Sequence, residues 1–156
     1  MYEKILVPLN GSAAAEGALE HAVAVARETG AHIILLEAVQ DSLAPVPEAR
    51  YHVSPRQVYG CAVRGRHYLH AVAERLRREG LTVRCAVREG EAASAILSCA
   101  RQEGVDLIIM ETCGHHALGT IFRESVARKV AETTHRPVLI VKGAGGTARE
   151  EPAMAA

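Results

Sequence analysis

Runs of aliphatic and β-branched residues recur at positions 4–9, 32–39, 82–87, 107–111 and 137–142, and between them the apolar positions change to a helical period. In the first interval Leu19, Ala22, Val23 and Ala26 recur at i, i+3, i+4 and i+7, with Ser12 as a candidate N-cap and Gly30 as the stop. Ser54 before Pro55 announces a second helix whose stripe is Leu69, Val72, Ala73 and Leu76; Gly80 ends it, and its other face is rich in arginine and read as solvated. A third helix over about 91–103 turns Ala93, Ile96, Leu97 and Ala100 inward and stops at Gly104, and a fourth covers about 123–134. Strands that are nearly continuous in apolar residues are buried on both faces. Five of them alternating with four helices predict an α/β fold, a doubly wound five-stranded parallel sheet with helices on both faces.

Residues 40–54, with Pro45 and Pro47, show no period and are expected to form a long irregular connection of the kind that often serves as a lid. From position 143 the chain turns to glycine, alanine and acidic residues with almost no apolar bulk. The expected organisation is one domain over 1–142 and a flexible C-terminal tail over 143–156.

The length of 156 residues suits a single domain with its own core. Eighteen Lys plus Arg balance eighteen Asp plus Glu, so no overall field draws the chain to nucleic acid or to an anionic membrane. Apolar runs such as 33–36 and 107–110 fall far short of the about 20 residues that a membrane helix needs. The amino terminus enters its first strand without a basic region, a long apolar stretch or a small-residue cleavage site, so a cytoplasmic location is expected. Cys61, Cys85, Cys99 and Cys113 form no CxxC pair and are read as reduced thiols without a shared role.

In open parallel sheets ligands bind beyond the carboxyl ends of the strands, where the strand order reverses. Two segments are expected to meet there: Pro8, Leu9, Asn10, Gly11 and Ser12 after the first strand, and residues 111–116 after the fourth, running on to Glu124 and Ser125 at a helix start. Here the chain resembles the universal stress protein family. The resemblance rests on Ile5-Leu6-Val7-Pro8-Leu9-Asn10-Gly11-Ser12, on Ile34-Leu35-Leu36-Glu37-Ala38-Val39, and on Val126-Ala127 through Arg136-Pro137-Val138-Leu139-Ile140-Val141, and it covers about residues 2–142. It implies the sheet order 3-2-1-4-5 and a homodimer built along the last strand, Pro137 to Val141.

The nucleotide-binding branch of that family carries a glycine, two residues, a glycine, nine residues, and a glycine followed by Ser or Thr. In this chain the same positions read Glu111, Gly114, and Glu124-Ser125, so of the pattern Gly114 and Ser125 survive. The Asp that in that branch approaches the nucleoside aligns with Asn10, and the Val beside the adenine aligns with Ala38. The resemblance thus assigns a pocket to Pro8, Leu9, Asn10, Ala38, Val39, Met110, Glu111, Gly114, Glu124, Ser125 and Val126. Glycines in such loops allow close backbone approach, and here two are replaced by acids. A carboxylate about 4 Å from one phosphate charge costs on the order of 4 kcal/mol at an effective dielectric of 20, against roughly 8 kcal/mol for a whole micromolar complex. ATP binding is expected to be weak or absent unless Arg123 or a divalent ion neutralises the acids, and no cofactor is expected.

Glu111, Cys113, His115 and His116 have metal-ligand side chains but not a standard ligand spacing, and are read as a solvated loop. His21, His67 and His70 fall on expected helix surfaces. Ser125 suits a helix N-cap better than a nucleophile. Walker A, GxSxG, GxGxxG and HExxH patterns are missing from the sequence. The expectation is a non-enzymatic module that acts through dimerisation and contact with unidentified protein partners. The alternative is a small-ligand sensor that takes a nucleotide or a metal in the pocket after strands 1 and 4, with an ATP hydrolase behind both.

Overall fold

The computed structural model describes residues 1–10, 17–39, 55–112 and 120–142. Its elements run in the order β1 (Lys4–Leu9), α1 (Gly17–Thr29), β2 (His32–Val39), α2 (Pro55–Arg78), β3 (Val83–Glu89), α3 (Ala92–Glu103), β4 (Leu107–Thr112), α4 (Thr120–Thr133) and β5 (Val138–Lys142). All four strand pairings are parallel, and the sheet order is β3-β2-β1-β4-β5. Ser12, the 40–54 connection, Gly114 with its neighbours and the 143–156 tail lie outside the described residues.

Alternation along each strand divides the core into two layers. Ile5, Val7, Leu9, Ile33, Leu35, Leu107 and Ile109 pack against the expected stripes of α1 and α2, including Leu19, Ala22, Leu69, Val72, Ala73 and Leu76. Leu6, Ile34, Leu36, Ile108 and Met110 face the other way, onto Ala93, Ile96, Cys99 and Ala100 of α3 and Ala127 and Val130 of α4. Among the described residues the buried set contains no polar or charged side chain. The double-sided burial is why the strands lack a polar alternation in sequence.

The ends of α3 are fixed locally. Glu91 is its N-cap, accepting from the amides of Ala93 at 3.3 Å and Ser94 at 3.0 Å and from the Ser94 hydroxyl at 2.6 Å. The Ser94 hydroxyl first, with the helical amides and Lys129, holds the Glu91 carboxyl down to about 2. At the other end Gly104 takes φ 64°, ψ 48°, the left-handed conformation that closes a helix and that side chains disfavour. Below the sheet, Asp106 accepts from the amides of Glu3 and Lys4, both at 2.9 Å, and ties the start of β1 to the turn before β4. Those two bonds hold its carboxyl below the usual range.

Two sequence boundaries move by more than one residue. β3 continues to Glu89 because β2 offers ladder partners as far as Val39; the charged residues of this edge strand conceal it from an apolar pattern. α4 begins at Thr120, not near Arg123. Thr120, Ile121 and Phe122 are not strong helix formers, so propensity along the chain does not mark this start.

Candidate functional site

β1 stays paired with β2 as far as its own carboxyl end, from Lys4↔His32 to Leu9↔Glu37, and β4 and β5 stay paired to theirs, ending at Thr112↔Lys142. Between β1 and β4 the register comprises Ile5↔Leu107 and Leu6↔Ile108. The two central strands therefore part toward their carboxyl ends. This is the topological switch point, since β1 leads outward to β2 on one side and β4 to β5 on the other, and it is where a doubly wound sheet opens a crevice.

The side chains at this edge are sorted by the pleat. Leu9 and Glu111 share the α1/α2 side, whereas Pro8, Ala38 and Met110 follow Leu6, Leu36 and Ile108 to the α3/α4 side. Leu9, Val39 and Met110 are buried, and Val126 is half-buried against the α3/α4 core. Their part is thus to pack the rim. Asn10 is exposed at the end of β1, and Pro8, Ala38 and Glu111 are half-buried.

The Glu111 carboxylate lies against the first turn of α1. A Cβ built on Gly17 would stand 3.2 Å from Glu111 Oε2, so the absence of a side chain at Gly17 makes room for this acid. Glu37, opposite Leu9 on β2, brings a second carboxyl to the same end of the sheet. Its Oε2 is buried and accepts no hydrogen bond, and burial pushes the Glu37 carboxyl up from its ordinary value. The Glu37 position escaped the sequence reading because an acid in mid-strand carries no motif. The signal available was its place in an otherwise apolar run.

Residues 1–142 match the sequence pattern of the universal stress protein family. The chain belongs to that family. Universal stress protein MJ0531 of Methanocaldococcus jannaschii is 30% identical over 144 residues, covering 91% of this chain and 83% of the relative. The solved structure of hypothetical protein MJ0577 from the same organism is similar with a TM-score of 0.70 at 27% identity, over 91% of this chain and 96% of that one. Universal stress protein UspA from Lactobacillus plantarum shares the fold, with a TM-score of 0.73 at 21% identity over 90% of this chain and 97% of that chain.

Within this universal stress protein, the α4 boundary corrects one expectation. Glu124 and Ser125 belong to the body of a helix that starts at Thr120, so Ser125 stands more than a turn past the first residue and is not its N-cap. Gly114, Cys113, His115 and His116 lie outside the described residues. His21, His67 and His70 are exposed on α1 and α2, where the pattern put them. Cys85 is half-buried, with its Sγ 3.5 Å from the Leu69 carbonyl, and Cys99 is buried. Burial pushes both thiols up, which disfavours the reactive thiolate. No described helix is long and apolar enough to cross a membrane.

Proposed function

We propose that this universal stress protein is a non-enzymatic module that acts through dimerisation and contact with protein partners, and that its binding of ATP is impaired. The observation that carries the second half is the Glu111 carboxylate. It stands where β1 and β4 part, at the position that aligns with a glycine of the nucleotide-binding branch. An acid in place of that glycine would crowd and repel an anionic phosphate chain bound there, and Glu37 brings a second acid to the same edge. For the first half, support comes from β5, an edge strand with apolar side chains open to solvent.

Calorimetry with ATP, with and without magnesium, tests the reading. The wild type is expected to bind no tighter than about 100 μM, equivalent to roughly 5.5 kcal/mol. Glu111→Gly combined with Glu124→Gly is expected to bind more tightly by removing two negative charges. Micromolar binding by the wild type would refute impaired ATP binding.

One observation favours the second reading, a small-ligand sensor at the same crevice: the buried Glu37 Oε2 has acceptor capacity that a donor-bearing ligand could use. Mass analysis of what the denatured pure protein releases separates the two. A stoichiometric small molecule supports the sensor, and none supports the partner-contact module.

A further inference from the structure

A cavity of about 600 Å³ lies between one face of α3 and the turn that joins α4 to β5, lined by Ser94, Leu97, Arg101, Thr133, Thr134, His135 and Arg136. None of these residues belongs to β1, β2 or β4, whose carboxyl ends frame the crevice described above. We propose that this groove is a second binding site, for a small molecule that carries a phosphate monoester on an apolar body.

The charge arrangement is the first argument. Two arginines and a histidine line the groove, and among the described residues no carboxylate does. The acids nearby are already engaged. Glu103 pairs with Arg84 at 2.9 Å, Glu132 with Arg128 at 2.8 Å, and Glu91 with Lys129 at 3.3 Å, while Asp106 is held by two backbone amides. Among the described residues the Arg101 and Arg136 guanidiniums form no ion pair and donate no hydrogen bond, in contrast to Arg27, Arg77 and Arg84. Arg136 feels Asp106 through space and helps to keep its carboxyl ionised, without a direct bond. A locally positive groove is thus left in a chain of zero net charge.

The geometry is the second argument. The cavity lies in the size range of small-molecule sites. Ser94, Leu97 and Arg101 fall on one face of α3 at i, i+3 and i+7, so a rigid helix presents them together. The opposite wall is shaped by Thr134, whose hydroxyl oxygen accepts from the Arg136 amide at 3.1 Å and fixes the turn that carries His135 and Arg136. Guanidiniums bind phosphate through paired N–H groups, and half-buried Leu97 with the arginine stems supplies apolar contact for the rest of a ligand. The Ser94 hydroxyl donates to Glu91 and is spent on the helix cap. The carbonyl end of α4 opposes an anion, but its partial charge of about half an electron is smaller than that of either arginine.

The test is a titration of ¹⁵N-labelled protein with phenyl phosphate at low salt. Saturable shifts are expected at the amides of Leu97, Arg101, Thr134, His135 and Arg136, with a Kd of about 1 mM or tighter. Arg101→Gln combined with Arg136→Gln is expected to weaken binding at least about tenfold, with circular dichroism and Tm unchanged because both side chains are exposed. Inorganic phosphate is expected to bind several-fold more weakly than phenyl phosphate. Absence of saturable shifts by about 10 mM, or an unaltered Kd in the double variant, would overturn the site. Equal binding of inorganic phosphate would overturn the apolar body.

Discussion

Replacing Ile140 by Lys is expected to dissociate the proposed dimer. In the single chain Leu139 is 39% exposed and Ile140 42% exposed, on a strand at the edge of the sheet. Burying a whole Leu or Ile side chain contributes about 1.5–3 kcal/mol, so the exposed fraction of each retains about 0.6–1.3 kcal/mol to be gained from a partner. Over the four such side chains of a two-fold dimer this is about 2.5–5 kcal/mol, against about 8 kcal/mol for a micromolar complex. The remainder must come from the ladder between the two edges and from Val138 and Val141, which are half-buried. Ile140→Lys forfeits about 1 kcal/mol on each side and adds a cation to each strand two residues from Lys142, so Kd should rise by about 30-fold or more. The opposite edge shows the protection that β5 lacks, since β3 carries Arg84 and Arg88, bonded to Glu103 and Gln102 of α3. Sedimentation velocity over about 1–100 μM reads the result, with circular dichroism to confirm the fold. A wild type that is monomeric throughout, or a variant that sediments as the same dimer as the wild type, would refute the edge argument.

Two further predictions concern stability. Glu91→Ala should cost about 1 kcal/mol by removing the α3 cap, a figure kept small because the group is open to solvent. The Glu91 carboxyl titrates lower in the folded chain, about 2, than at its ordinary 4.5, so the cap is at full strength above pH 4.5. As the pH falls from there toward about 2 its contribution drains away, and denaturant midpoints of wild type and variant should converge over that window. Asp106→Ala removes both amide bonds to the start of β1 and should lower stability by about 1–2 kcal/mol, a fall in Tm of about 3–6 °C by calorimetry. The Asp106 carboxyl is likewise depressed, so its difference from the wild type should also shrink as the pH falls below the ordinary 3.8.

The five strands, the four helices and their inward stripes were legible in the residue pattern, because burial on both faces of a strand leaves a continuous apolar run and burial of one helix stripe leaves a period of 3.6, both written locally. Gly30, Gly80 and Gly104 marked helix ends for the same reason, each with a positive φ that only the local chain has to satisfy. Glu111 was legible as a departure from a glycine pattern. What it touches was not. Its place against Gly17 depends on α1 crossing over β4, and the apolar run around Glu37 did not show that one of its carboxyl oxygens is buried, which the fold decides. The start of α4 at Thr120 was not marked by local propensity. The groove of Arg101 and Arg136 is the furthest from the sequence. Its residues come from two segments that meet through the parallel crossover, and its charge is what remains after the neighbouring acids among the described residues have found partners. Which cation stays unpaired is a property of three-dimensional packing, and no spacing along the chain records it.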